Sequence, residues 1–304
     1  LIGLSTKKQI QLDAPVDYLV HNLEEAISMD PQAAIICNPS SEHISTAIPL
    51  AKKGISLLIE KPISNKLNNT NRLLKVAEEK NIKVMVGYNL RFLESMQIFK
   101  KAVSKKNLGK IYSIRSEVGQ DLQDWRPGSD YKKSVSAQKN LGGGVLLELS
   151  HEIDYLTWIF GRVDWVYGYI DKVSKLKIDV EDLAQVLLKF TSNSDHSNIL
   201  ANLTLDFIRK DKVRKCTIIG EKGTLVWDGV LNEVNLYKND SWKNIFRQQP
   251  DPDSSYKNEL THFINCIEKD KSPSSTLVSA IDCIKIIDSI VKSSQKKNSV
   301  SVNY

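Results

Sequence analysis

Two continuous apolar runs, Ala33-Ala34-Ile35-Ile36-Cys37 and Ile55-Ser56-Leu57-Leu58-Ile59, flank a segment that reads as a helix over residues 42–53 and stops at Gly54. A run that stays apolar instead of alternating belongs to a strand buried on both faces. A helix between two such strands is the repeating unit of a parallel α/β sheet. A short strand at 1–4, a short helix at 22–29 entered through Asn22, a helix at 67–80 and a strand at 82–87 continue the pattern. Residues 1–90 are therefore expected to form one parallel α/β unit.

The second run ends on Glu60-Lys61-Pro62. Open α/β sheets bind their ligands beyond the carboxyl ends of the strands, and here a carboxylate and an ammonium are delivered to that edge. The proline then stops the strand. About ninety residues on comes a second group, Gly142-Gly143-Gly144 followed by Glu148, His151 and Asp154.

From about residue 105 the periodicity changes. Around a helix expected over 144–160, apolar residues alternate through 111–118, 163–170, 183–190, 199–207, 213–219, 224–227 and 234–237, and two helices near 254–268 and 277–293 close the chain. Alternation of this kind predicts a large, mostly antiparallel open sheet, so the expected class is α/β followed by an α+β domain over residues 91–304.

The 304 residues are enough for two domains, and 41% hydrophobic with 26% charged residues describes a globular chain. No apolar run reaches membrane-spanning length, so no membrane partner is expected. The net charge of +6 is spread over scattered lysines, not gathered into a stripe with stacking aromatics. Nucleic acid is therefore not an expected partner, and anionic small molecules are. Cys37, Cys216, Cys266 and Cys283 show no C-x-x-C spacing. They read as core thiols in a reducing compartment, the cytoplasm, and no metal site is expected.

Four stretches carry a family resemblance: Cys37-Asn38-Pro39-Ser40-Ser41-Glu42-His43, Glu60-Lys61-Pro62, Gly87-Tyr88-Asn89-Leu90-Arg91-Phe92, and Gly142-Gly143-Gly144 through Asp154-Tyr155. In that order and spacing they resemble the glucose–fructose oxidoreductase, inositol dehydrogenase and rhizopine-catabolism (Gfo/Idh/MocA) family. The resemblance implies a Rossmann domain, then a domain whose sheet often forms a homodimer or homotetramer interface. It also implies NAD(P)-dependent hydride transfer at a carbon of a sugar, nucleotide sugar or cyclitol. No Gly-x-Gly-x-x-Gly loop for the pyrophosphate is present, so about one βα unit is expected to be missing from the front.

The resemblance gives the residues roles. Lys61 would polarise the reacting oxygen, and Glu60 would touch the nicotinamide ribose or anchor Lys61. His151 would be the general base, its ring oriented by Glu148 or Asp154 from the same helix face. The family's usual spacing is Asp-x-x-x-His; here Glu148 precedes His151 by three residues instead of four, and this one-residue shift rotates the ring by roughly 100° about the axis at ~3.6 residues per turn. Asn38, Pro39, His43 and Asn89 would line the cofactor. Ser5, Thr6, Lys7 and Lys8 follow the first strand where NAD-preferring relatives carry an acid, which favours NADP(H) over NAD(H). Arg91, Trp125, Arg126 and Tyr131 would meet the substrate, with Asp154 and His151 beside them. The loop around Trp125 resembles those of relatives in bacterial surface-sugar biosynthesis, which fits an acidic or nucleotide sugar. Alternatives are an NAD-dependent glycosidase, a non-catalytic dinucleotide- or sugar-binding regulatory module, and a truncated, cofactor-free remnant.

Overall fold

The computed structural model describes residues 1–5, 16–104, 108–191 and 199–304. Strand β1 (Ile2–Leu4) pairs in parallel with β2 (Tyr18–Val20). Helix α1 (Leu23–Ser28) begins at Asn22, whose side chain accepts from the Glu25 amide at 2.8 Å, the N-cap that the sequence predicts. Strand β3 (Ala33–Ile36), helix α2 (His43–Lys52), strand β4 (Ser56–Glu60), helix α3 (Thr70–Glu79) and strand β5 (Val84–Gly87) then build a three-stranded parallel sheet in the order β3-β4-β5.

Register explains the continuous apolar runs. Ile36, Ile59 and Val86 lie side by side, and Ile35, Leu58 and Met85 form the neighbouring row on the opposite face. The first row joins the main core with Ala47 and Leu73 from α2 and α3, and on the second Leu58 and Met85 pack against Phe92 and Phe263. Both faces therefore need apolar residues. The two parallel sheets remain separate, and Ile35 is 54% exposed at the edge of β3.

The expected division at 90/91 falls inside the 3₁₀ turn Asn89–Phe92. Helix α4 (Glu94–Ser104) follows, burying Met96, Phe99 and Val103; the sequence reading did not anticipate it. Beyond it come β6 (Ile111–Gly119), α5 (Val145–Glu148), α6 (His151–Phe160), β7 (Val163–Asp171), β8 (Leu183–Phe190), β9 (Leu200–Asp206), β10 (Val213–Gly220), β11 (Gly223–Asp228), β12 (Glu233–Lys238) and β13 (Ser241–Arg247). Helices α7 (Ser254–Glu268) and α8 (Leu277–Lys296) and strand β14 (Val300–Ser301) end the chain. Among the described residues, one nine-stranded sheet runs β13-β12-β11-β10-β6-β9-β8-β7-β14, antiparallel except for the β6–β9 pair. Strands β2, β13 and β14 were not read from the sequence, and α8 runs three residues past its expected end.

One face of this sheet is core. Ile114, Val186, Leu203, Ile218 and Trp227 are at most 1% exposed; the Trp227 indole donates to Ser95 Oγ at 3.0 Å, tying α4 to the sheet. On the other face Tyr112, Tyr167 and Tyr169 are exposed. No helix among the described residues is long and apolar enough to cross a membrane.

The helix expected as one rod over 144–160 is two. Between α5 and α6 the bonds shorten to Ser150 N to Leu147 O and Glu152 N to Leu149 O, a 3₁₀-type tightening at Leu149-Ser150. The two halves have different partners: α5 lies against β8 and β9, with the Val145 amide on Glu181 O, while α6 packs on α8.

Candidate active site

The carboxyl ends of β3 and β4, the α5–α6 turn and the ends of β6 and β10 enclose an open cleft of about 530 Å³. Asn38, Pro39, Glu60 and Lys61 line it from the strand ends, and Glu148 and His151 from the α5–α6 segment. Lys212 and Arg214 line it from the start of β10, with Trp125, Arg126 and Tyr256 also on the lining.

The triple glycine lets the entrance to α5 approach its neighbours closely. A Cβ on Gly142 would overlap Ser40 Oγ, and one on Gly144 would overlap the Glu181 carboxylate; both sit at positive φ, 87° and 111°. Ser40 Oγ reaches the Gly142 carbonyl at 3.4 Å, so the loop after β3 and the α5 entrance are one packed unit.

Lys61 is half-buried. Its ammonium donates to the Glu148 carbonyl oxygen at 2.9 Å and lies 3.7 Å from the Glu148 carboxylate, which also accepts from Ser136 Oγ at 3.1 Å. Glu148 is thus committed to Lys61 and does not orient His151. The tightened turn explains how both still reach the cleft: at three residues per turn, residues i and i+3 eclipse. The 100° displacement expected from the shortened spacing is thereby largely removed.

His151 Nδ1 is buried and has no partner among the described residues. The ring is held by packing edge-on to Tyr88, with centroids 5.7 Å apart, leaving Nε2 as the nitrogen able to meet a hydroxyl. Burial, with Lys61 and Arg214 adding to it, holds the imidazole well below its ordinary value of 6.5. The sign follows: His151 stays neutral in the folded state at a pH where an unfolded histidine takes up a proton. Its free base therefore persists on acidification, and the acid limb of kcat/KM is expected well below pH 6.5, not at it; a pH–rate profile checks this. By the same linkage, this residue's contribution to stability is complete above 6.5 and declines as pH falls from there towards the folded value.

Burial raises the Glu60 carboxyl, with Lys61 opposing. His43 lies at the cleft margin but is 1% exposed, its ring between the Pro62 carbonyl at 2.9 Å and the Asn38 carbonyl at 2.8 Å; it braces the two strand ends.

The expected places of five residues are corrected. Asn89, expected at the cofactor, is buried and donates to Ser255 Oγ at 3.0 Å. Arg91 and Asp154, expected at the substrate, are 4% and 1% exposed and bonded to each other, Nε to Oδ2 at 2.8 Å and Nη2 to Oδ1 at 2.6 Å. Tyr131 is off the cleft lining, its hydroxyl accepting from the Lys177 amide at 3.2 Å. Cys37, expected in the core, is exposed on the cleft, while Cys216, Cys266 and Cys283 are buried. Trp125 does line the cleft, its indole donating to Gln120 O at 3.1 Å and its ring edge-on to Phe207. The Ser5 amide donates to Val20 O, and its carbonyl meets the His21 ring at 2.8 Å; Thr6, Lys7 and Lys8 lie outside the described residues.

Sequence reasoning missed Lys212, Arg214 and Tyr256. The first two alternate as i and i+2 at the start of β10, which puts both on one side of the strand. Arg214 is fixed by Glu152 beneath it, Nε to Oε1 at 2.7 Å and Nη2 to Oε2 at 3.2 Å, with Glu152 fully buried.

The residues present fit the nicotinamide end of a dinucleotide. Asn38 Oδ1 and His151 Nδ1 are buried polar atoms left unpaired in the cleft walls, and the Lys61 ammonium stands beside His151 at the strand ends.

Comparison with known proteins agrees with this fold. Residues 4–88 match the model of the oxidoreductase family with the NAD-binding Rossmann fold, and residues 96–226 match that of the GFO/IDH/MocA C-terminal domain. Levoglucosan dehydrogenase of Pseudarthrobacter phenanthrenivorans is 30% identical over 129 residues, which is 42% of this chain and 32% of that protein. Inositol 2-dehydrogenase of Rhizobium meliloti is 23% identical over 289 residues, 92% of this chain and 83% of that one. The chain spans less than half the length of the first three curated relatives it matches, at 42%, 32% and 38%. A solved levoglucosan dehydrogenase in complex with NADH shares the fold at a TM-score of 0.84 and 20% identity, covering 94% of this chain and 84% of that one. With one family model on the parallel unit and another on the large sheet, the chain belongs to the Gfo/Idh/MocA family of oxidoreductases.

Proposed function

We propose that this chain carries the catalytic site of an NAD(P)-dependent dehydrogenase that oxidises a secondary hydroxyl of a sugar or cyclitol, or reduces the corresponding ketone. The observation that carries the reading is the meeting of Lys61 and an imidazole held neutral, His151, at the carboxyl ends of parallel strands. The relatives named levoglucosan dehydrogenase and inositol 2-dehydrogenase support the substrate class. Residues 1–90 serve as the dinucleotide unit and 91–304 as the substrate unit.

In this mechanism the bound nicotinamide supplies the hydride acceptor or donor. Asn38, Pro39 and Glu60 would hold its ribose end, with Ser5, Thr6 and Lys7 at the adenosine ribose. Lys61, fixed by its bond to the Glu148 carbonyl, directs a remaining N–H at the substrate oxygen and stabilises the negative charge that develops there. His151 Nε2 takes the hydroxyl proton, or returns it in the reverse direction. Glu148 acts through Lys61 and is a positioning residue. Trp125 offers an apolar wall to the ring of the substrate.

We take the cofactor to be NADP(H) in preference to NAD(H), on the hydroxyls and cations of the Ser5–Lys8 stretch. Titrating the natural gene product with NADPH and NADH, followed by nicotinamide fluorescence, tests both levels. The expected result is binding of both, with NADPH tighter; tighter NADH overturns the preference, and binding of neither overturns the enzyme reading. The exposed aromatic face of the nine-stranded sheet supports a homodimer or homotetramer, and the cytoplasm is the proposed location.

A further inference from the structure

Four cations line the cleft, and they are not equivalent. Lys61 is paired with Glu148, and Arg214 with Glu152. Arg126 and Lys212, both exposed at the mouth, have no ion-pair partner among the described residues. They stand on different elements, Arg126 in the loop beyond β6 and Lys212 at the entrance to β10. The sheet brings these elements together: Gly119, the last residue of β6, pairs with Val213, the first of β10.

Arg214 is the built part of this wall. Its guanidinium carries five N–H donors, and the fully buried Glu152 claims two of them through Nε and Nη2. No other acceptor meets Arg214 among the described residues. A planar fork is thereby pre-oriented on a buried carboxylate while the rest of its donors stand at the cleft. This is an arrangement suited to an oxyanion, whose charge-assisted bonds are roughly twice as strong as neutral ones. A neutral polyol offers these cations nothing comparable.

The structure assigns to Arg214, Lys212 and Arg126 the binding of an anionic substituent, carboxylate or phosphate, on the sugar whose hydroxyl meets Lys61 and His151. This rests on the dehydrogenase reading above and narrows its substrate from sugars in general to acidic sugars. Arg214 also bears on the base, since its charge, after burial and Lys61, helps keep His151 unprotonated.

The test compares matched substrates with the natural gene product and the nicotinamide cofactor it binds. Glucose and galactose are set against glucuronate and galacturonate for the carboxylate, and against their 1- and 6-phosphates and UDP-glucuronate for the phosphate. The readout is the ratio of kcat/KM for the acidic compound to that for its neutral parent. The expected ratio is about 10–100 in the wild type, from one or two charge-assisted contacts. It should fall towards 1 in Arg126→Ala/Lys212→Ala, return in part with Arg126→Lys/Lys212→Arg, and shrink with added salt, because these two groups are exposed. The two mouth residues are chosen because Arg214→Ala would leave Glu152 buried without a partner and risk the fold.

Whichever acid gains, carboxylate or phosphate, identifies the group bound. A ratio near 1 in the wild type, a ratio that survives the double substitution, or cofactor binding without turnover of any acidic member overturns this assignment. Turnover of the neutral sugars alone does so while sparing the dehydrogenase reading. Failure to bind any nicotinamide cofactor overturns both.

Discussion

Replacing His151 by asparagine is expected to lower kcat by about 10²–10⁴-fold, the range for loss of a positioned general base. The loss should appear equally in kcat and kcat/KM, because proton abstraction occurs only in the transition state. Nicotinamide affinity should change little. Among the described residues the ring contributes no hydrogen bond to the fold: Nδ1 is unpaired and the ring rests edge-on against Tyr88. Parallel measurements of kcat, KM and cofactor affinity check the split. A variant whose defect lies in KM alone would make His151 a substrate contact and not the base.

The second large effect concerns stability. Asp154→Ala leaves the Arg91 guanidinium, 4% exposed, without its bidentate partner; among the described residues its remaining hydrogen-bond acceptors are the Ser274 carbonyl at 2.5 Å and Ser279 Oγ at 3.4 Å. Breaking a buried pair from one side costs about 3–5 kcal/mol. For a chain of this size that corresponds to a fall in Tm on the order of 5–10 °C. Arg91 belongs to the turn after β5 and Asp154 to the helix that starts at His151, so the pair fixes the base relative to the strand ends. Activity at low temperature should therefore fall as well. Thermal unfolding of Asp154→Ala beside Arg91→Met/Asp154→Leu decides the account, because the apolar pair should recover much of the loss. Equal destabilisation of both variants would contradict it.

The parallel unit was legible because β4 and β5 are buried on both faces, which leaves no polar alternation to confuse the pattern. Lys61 was legible for a related reason: charges that end such a run at the sheet's carboxyl edge have few other uses. The roles of Arg91 and Asp154 were not. Their pairing spans 63 positions, and a charged residue reads the same in sequence whether it faces a ligand or a buried partner. The α5–α6 break also lacked a local signal. Leu149 and Ser150 tolerate a helix, and the tightening serves the different partners of its two halves. Strand β13, Ser-Trp-Lys-Asn-Ile-Phe-Arg, sits at the sheet's edge and is mostly exposed, so no apolar run marks it. Helix α4 carried a readable stripe at Met96, Phe99 and Val103, overlooked beside the change in periodicity. The Lys212–Arg214 alternation is too short to stand out in a lysine-rich stretch, and only the sheet's register gives it a cleft to face.

The most direct test of the central claim is nicotinamide reduction with NADP⁺ or NAD⁺ over a panel of sugars, acidic sugars and cyclitols. Wild type, His151→Asn and Lys61→Ala are run side by side. The account predicts turnover by the wild type, with each substitution lowering kcat at least about 10²-fold while the cofactor still binds. Turnover that survives both substitutions would place the chemistry elsewhere on the chain and contradict the site described.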